Sequence, residues 1–514
     1  MIFVYIYLYE YLILTFTRMT HLTWIKIRII AITLLLCPRV MGQSWHMGNT
    51  FRPDLRGNQF DIFVNSDSAG YQLHFQTDKA DEIIRFDSSL NITSRTTGEQ
   101  IQPNIKSALL RIPHKDKWLQ FSIGHTSIAE SELLCTYEDS SQILMTQSLC
   151  TFPNKYVKAN DLHIKRWKDI IVIYFEWART PRVDNEELTV IEYKIETLSF
   201  KKHSIKLDHP NELTTFTNCQ LREDSSILFI GKRFEISPKE KRGGHVNFQH
   251  CALIYRPYDS LTMLADITRG SSFSSGLRLS IRGDNLLTAF LTSSIKSRLA
   301  DSLHLCELDL TTGSYRELTS MALDEFHVKK SHWLYNIFRK QYTNLWIDEI
   351  VVQGDQITVI MEFFGSRIIG GVGNESIRSY YFGPLILANF TTDGQLRWKQ
   401  TIDKLQVSEN DKAKYSSYRV VLNNKGYLLY YNELERPHRK RNFLGKRRLM
   451  SFNSNLVEHT ILEDGQEYRK IIHENLGNKE VPMIGRSRIT DDDKLVVVMA
   501  GKKYFKLATY QIGE

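Results

Sequence analysis

Cysteine is scarce: the 514 residues contain six, and no two stand in a Cys-x-x-Cys pair. That excludes a disulfide-stapled scaffold, a zinc ribbon and a dithiol redox centre. The 12 prolines and 27 glycines form no biased tract, which excludes a collagen-like or low-complexity chain. Catalytic signatures are missing too, since neither Gly-x-Ser-x-Gly nor His-Glu-x-x-His occurs. Ser293–Lys296 has the spacing of Ser-x-x-Lys without the companion Lys-Thr-Gly. Gly370-Gly-Val-Gly373 lacks the Lys-Ser or Lys-Thr of a phosphate loop and is read as a hairpin connection. His245 and His250, beside Cys251, lie five residues apart, which puts them on opposite faces of a strand, so no metal site is expected.

Long apolar runs are confined to the N-terminus. Ile2–Phe16 and Ile29–Cys37 are each shorter than the ~20 residues a spanning helix needs. The second follows Lys26 and Arg28 as the apolar core of a signal peptide follows its basic start, and Val40-Met41-Gly42 suits cleavage. Residues 1–42 are therefore read as a signal peptide, with translation starting at Met19 as a variant in which residues 1–18 are surplus, and retention as an anchor as the alternative. Cleavage removes four cationic side chains and one carboxylate, lowering the formal net charge from +8 to about +5. So mild an excess does not point to nucleic acid. The remaining cysteines, Cys135, Cys150, Cys219, Cys251 and Cys306, are expected to be small buried hydrophobes.

What the chain does contain is a repeat. Eight times a polar turn precedes a dense apolar run of strand length: Gln72–Phe75, Trp118–Phe121, Ile170–Tyr174, Ile227–Ile230, Leu286–Phe290, Ile357–Met361, Tyr427–Tyr430 and Leu495–Met499. The spacing runs from about 46 to about 71 residues, within reach of propeller blades with long loops. A second turn recurs at Phe86–Leu90, Asp309–Gly313, Phe390–Gly394 and Phe452–Leu456, each leading into a more polar stretch. Continuous apolar runs suit inner strands and polar ones suit the solvent-facing rim.

The expectation is thus an all-β fold: one β-propeller over residues 50–514 with eight four-stranded blades, or seven if an early unit is misread. Two sandwich domains are the other possibility. The last unit ends without a fourth strand, and Thr50–Gln59 are expected to supply it and close the ring. Leu323–Tyr342 has apolar residues at three- and four-residue steps and is expected to be a short helical insertion.

Tyr380–Gly394, Trp398–Ile402, Lys404, Gln406 and Ser416–Tyr418 together resemble a stretch of uncharacterised exported propeller-like proteins of Bacteroidetes bacteria. The resemblance implies the fold and an exported bacterial setting, periplasmic, outer-membrane-associated or extracellular, and carries no known activity. Asp393-Gly394 followed by Trp398 is also similar to the turn of quinoprotein repeats. Glu317 and Leu318 stand where the echo at Asp309–Gly313 would need tryptophan, so no quinone cofactor is expected, nor any other.

Function then rests on topology. In a propeller the connections from second to third strand and from blade to blade emerge on one face, and here they are long and basic. Arg439, Lys440, Arg441, Lys446, Arg447 and Arg448 crowd the seventh unit's loop, with Arg233 and Arg242 placed in the fourth's. Clustered guanidinium groups match carboxylate and phosphate geometry. These residues are the expected ligand-binding set, for an acidic polysaccharide, lipopolysaccharide or an acidic protein, in a binding or scaffold module of the cell envelope. A polymer-active enzyme of lyase or glycosidase type, with its site at the centre of the ring, is the alternative. Acid–base catalysis there needs inward-facing carboxylate, His or Arg groups around one substrate.

Overall fold

The computed structural model describes residues 45–53, 61–99, 107–153, 162–207, 212–267, 273–323, 344–409, 416–474 and 480–512, less 68–69, 77–79, 115–116, 128, 139–141, 177–185, 236–247, 258–260, 294–299, 371–375, 405, 435–453 and 502–503. They form eight antiparallel sheets in a ring, a β-propeller. Blade one spans Asp61–Glu99, two Ser107–Pro153, three His163–Leu207, four Glu212–Asp266, five Phe273–Ala322, six Asn344–Glu409, seven Tyr418–His473 and eight Glu480–Gln511. All eight apolar runs lie in second strands. Ile170–Glu176 and Lys494–Gly501 are buried along nearly their whole length, whereas the fourth strand Glu467–His473 is almost wholly exposed. A strand covered on both faces must be apolar throughout, and a rim strand need not be.

Each apolar cluster straddles two blades. Leu119, Phe121 and Cys135 pack with Ile171, Ile173 and Tyr193 between blades two and three. Comparable clusters join three to four, four to five, five to six, six to seven and seven to eight. Tyr71, Leu73 and Phe75 of blade one meet Val496, Val498 and Leu507 of blade eight. The His74–Trp118 ring contact, at 5.7 Å, joins one to two. Burying each such side chain contributes roughly 1.5–3 kcal/mol, so ring stability is spread over eight seams.

The ring closes on its N-terminal segment. His46 and Met47 pair with Thr509 and Ala508, the Gly48 amide donates to the Leu507 carbonyl, and Phe51 bridges Phe505 through two hydrogen bonds of 2.9 Å. The closing segment thus begins earlier than the expected Thr50–Gln59, of which 54–59 lie outside the described residues. Phe51 fixes the register because its ring is buried against Phe75 and Phe86. In blade eight the first strand is split into Glu480–Pro482 and Arg488–Ile489, separated by a 3-10 turn at Ile484–Arg486.

The recurrent second turn docks blades together. Gly394 has φ +90°, and an added Cβ there would meet the Leu318 carbonyl of blade five at 2.3 Å. At the matching turn of blade seven, Gly465 lies under the ring of Trp398, whose Nε1 donates to the Glu463 carbonyl at 2.8 Å. Trp398 is therefore a structural docking residue. That turn is Leu462–Gln466, not the expected Phe452–Leu456: Ser454–Leu462 is the third strand, and Leu456 is fully buried in it. Only Asp464-Gly465 offers the left-handed glycine the turn requires. The helix expected over Leu323–Tyr342 falls, from residue 324 on, outside the described residues. Gly370 ends the second strand of blade six, paired with Ser376, and 371–373, expected as a hairpin connection, lie outside the described residues. The five cysteines after the N-terminal segment are buried and form no disulfide among the described residues, and burial pushes the thiols of Cys135, Cys219 and Cys306 up to about 12.

Candidate functional site

The first strand of blade six, Asn344–Gln353, breaks its own alternation. Leu345, Ile347, Ile350 and Val352 pack toward blade five, with a step of three in the middle. Pairing with the second strand passes from Ile347–Met361 to Glu349–Ile360, so Asp348 is the extra residue of a β-bulge. A bulge puts consecutive residues on one side of a strand. Trp346, paired with Glu362, and Glu349, paired with Ile360, accordingly stand with Asp348 on the side facing blade seven. They cluster where this innermost strand leaves the long-loop face of the ring.

Behind them lies a closed polar network. Lys404 (0% exposed) forms an ion pair with Glu362 (3% exposed) and donates to Gln406 Oε1 at 3.2 Å. Glu362 Oε2 accepts from Ser417 Oγ at 3.2 Å. Gln406 Nε2 donates to the Ser417 and Asn432 carbonyls at 3.0 and 2.9 Å, and its Oε1 accepts from the Ser417 amide at 2.6 Å. The network joins blade six to blade seven. Equivalent positions do the same elsewhere, because Glu362 is the seventh residue of its second strand and so are Glu176 and Asn432. Glu176 accepts from the Phe216 amide of blade four, and Asn432 Nδ2 donates to the Pro482 carbonyl of blade eight at 2.7 Å.

Asp348 stands beside the Glu362–Lys404 pair. Burial, then the Glu362 carboxylate, pushes its carboxyl up to about 7, against the pull of Arg278 and Lys404. Arg278 Nε is committed to the Asp348 backbone carbonyl at 2.8 Å. Tyr418, buried at 6% exposure, has its phenol raised well above the ordinary value by burial and then by Asp348. Its hydroxyl stands close enough to favour the Asp348 carboxylate. It opposes the rise of the Asp348 carboxyl, and both groups are buried from solvent. Beside them Trp346 is 39% exposed. Next along the ring, Arg419 donates to the Ser487 and Gly485 carbonyls of blade eight at 3.0 and 2.9 Å. The seam thus combines a carboxyl raised by burial, a second carboxyl paired with Lys404, a buried phenol and a half-open indole.

The sequence singles out none of these as site residues. Lys404, Gln406 and Ser416–Tyr418 meet at this seam. The signal that points to the rest is the step of three in Leu345, Ile347, Ile350 and Val352. Of the expected ligand-binding set, Arg439, Lys440, Arg441, Lys446, Arg447, Arg448 and Arg242 lie outside the described residues. Arg233 is not in a loop: it belongs to the strand Ile227–Glu235, and its Nη2 meets Asp266 Oδ2 at 2.6 Å. The apolar pattern Ile227–Ile230 continues as an extended strand because Lys232 and Arg233 still pair with His250 and Gln249. His250, tempting as a ligand, is buried in the same sheet and its imidazole is pushed down to about 4 by burial and then by Lys232.

No protein-family model matches the chain, and no curated protein matches it. Among solved structures it is similar to the WD40 domain of SCAP from fission yeast, at 10% identity and a TM-score of 0.34, covering 90% of this chain and 98% of that one. The α-L-arabinofuranosidase Arb93A from Fusarium graminearum is 10% identical with a TM-score of 0.31, covering 70% and 96%. A subtype N10 neuraminidase-like protein of a bat influenza A virus is 11% identical with a TM-score of 0.30, covering 63% and 94%. Likeness at this level carries no argument about function.

Proposed function

We propose that this chain is an exported binding module of the cell envelope that holds an anionic polymer, such as an acidic polysaccharide or lipopolysaccharide, on the long-loop face of its ring. The observation that carries the reading is the shape of blade six. Its second and third strands, Gln356–Gly370 and Ser376–Thr391, have 15 and 16 residues where the other blades have seven to ten. The excess forms a raised hairpin, backed by Gln406–Glu409 pairing with Ser379–Phe382. A stiff projection beside variable loops is how rigid scaffolds present binding surfaces. The cationic side chains of the seventh unit's loop would supply the charge, and Arg233 drops out because Asp266 already engages it.

A variant with Arg439, Lys440, Arg441, Arg447 and Arg448 replaced by Ser tests this. Electrophoresis through gels containing alginate should show binding at least tenfold weaker than in the parent, with thermal stability unchanged to within a few degrees, since exposed charges contribute little to folding. Parent binding should also weaken as salt screens over ~8 Å. Equal retardation of parent and variant, or insensitivity to salt, would overturn the proposal.

A second reading, a polymer-active enzyme, is favoured by one feature. Asp348 and Glu362 are neighbouring carboxyls, of which burial and then Glu362 raise Asp348 while Lys404 pairs with Glu362, and glycosidases set two carboxyls apart by their surroundings in the same way. Release of reducing ends from alginate or xylan that is lost in Asp348→Asn would support it, and no release by the parent would dismiss it.

A further inference from the structure

We infer that the rim of blade two is a self-association edge, whose fourth strand, Ile143–Pro153, pairs antiparallel with the same strand of a second copy of this chain and joins two rings through one continuous sheet.

The outermost strand of any blade is a hazard, because its outward amides and carbonyls can accept another strand. Charge is a common way to blunt such an edge, and most of this ring uses it. The fourth strands of blades one and three to seven each hold at least one charged side chain, such as Lys201 and Lys202 in blade three and Arg469 and Lys470 in blade seven. Blade eight ends on the two-residue strand His46–Met47. In blade two the fourth strand has 11 residues and not one is charged. Among the described residues no strand pairs with its outer edge. Its first two residues, Ile143 and Leu144, are 44% and 38% exposed, while Leu149, Cys150 and Phe152 anchor the other end in the seam with blade three. The edge is therefore firmly held, uncharged and partly apolar.

Charge also selects the occupant. At the rims of blades three and seven a second copy would bring Lys201 and Lys202, or Arg469 and Lys470, toward their own equivalents, and like charges facing across a ladder are destabilising. The strand of blade two meets its own copy without that penalty. Its pairing with the third strand is bulged at Leu144 and at Leu149, which leaves Met145–Ser148 regular between them and confines pairing to a short stretch. A two-fold axis normal to the sheet keeps equivalent faces on one side, so it must pass through a residue. Placed at Gln147, it sets Thr146 of each copy opposite Ser148 of the other, and both are exposed in the single ring. Facing hydroxyl side chains of this kind support a ladder. The pairing is closed, because it consumes the uncharged edge of each ring, and it gives a dimer rather than a fibre.

Sedimentation equilibrium of the mature chain tests this, and at about 50 μM, where mass action favours association, it should give twice the mass of one chain. Thr146→Lys combined with Ser148→Lys places cation against cation across the axis, should associate at least tenfold more weakly, and should melt within a few degrees of the parent because both positions are exposed. Thr146→Lys combined with Ser148→Glu sets each lysine against a carboxylate and should dimerise again. Ser94→Lys combined with Thr96→Lys adds the same charge to the exposed rim of blade one and should remain dimeric. A monomeric parent overturns the inference, and so does a dimer that survives the double lysine change in blade two or is dissociated as readily by the one in blade one. A charge-swapped variant that stays monomeric overturns the antiparallel pairing. Should a lysine variant fail to fold, the parent alone decides: outward amides within Met145–Ser148 should exchange at least tenfold more slowly at about 50 μM than at about 0.5 μM, and an unchanged rate overturns the inference.

Discussion

Lys404 and Glu362 are paired at 0% and 3% exposure, on adjoining elements of blade six, and the pair is closed by groups from blade seven. Two charges so deeply buried are stable only together, because either alone would face the desolvation cost without its counter-charge.

Breaking that pair from one side should therefore be severe. Lys404→Met leaves Glu362 buried without its counter-charge, and should cost about 3–5 kcal/mol in chemical denaturation. The double variant Lys404→Met with Glu362→Leu should recover much of the loss, since it removes the orphan charge as well. Equal destabilisation by the single and the double variant would show that the seam depends on packing rather than on charge pairing.

Asp348 should make stability depend on pH. Its folded carboxyl is raised to about 7 from an ordinary value of 3.8, by burial and Glu362, with Arg278, Lys404 and Tyr418 opposing. Below about pH 4 the group is protonated in both states and carries no penalty. As pH rises toward 7 the unfolded chain releases the proton first, so this contribution to stability is lost across that interval. Each pH unit that separates the folded from the unfolded midpoint is worth about 1.4 kcal/mol, which makes the slope measurable. Asp348→Asn should flatten the stability profile between pH 4 and 7 and be more stable than the parent at pH 8. A parallel profile for parent and variant would refute the assignment.

Removing the closing segment should open the ring. A mature chain starting at Arg52 lacks His46, Met47 and Phe51, which pair with Thr509, Ala508 and Phe505. It should melt at least 5 °C lower, and amides of Phe505–Gln511 should exchange with solvent faster than those of blade four. Exchange that accelerates equally everywhere would mean that the segment stabilises the whole ring rather than that seam.

What is legible in the chain follows from how local each signal is. The eight apolar runs mark all eight second strands, because a strand covered on both faces must be apolar over its full length. Trp398 stands out by its spacing from Asp393-Gly394, and it docks on the next blade's turn. The turn of blade seven does not stand out, because Asn453-Ser-Asn455 is as polar as Glu463-Asp-Gly465, and it takes the burial of Leu456 and the positive φ of Gly465 to separate them. Arg233 reads as a loop residue because its charge resembles that of its neighbours further along, whereas the strand continues and Asp266 receives it.

By itself the sequence determined the class of fold and narrowed the ring to eight blades or seven, since both follow from period and apolar run length. Which residues form the site was decided by tertiary structure alone. Trp346, Asp348, Glu362, Lys404 and Tyr418 span 73 positions and share no motif. They meet because a one-residue bulge turns Asp348 and Glu349 to the same side, and because ring closure presses two blades together until the charges between them must find partners.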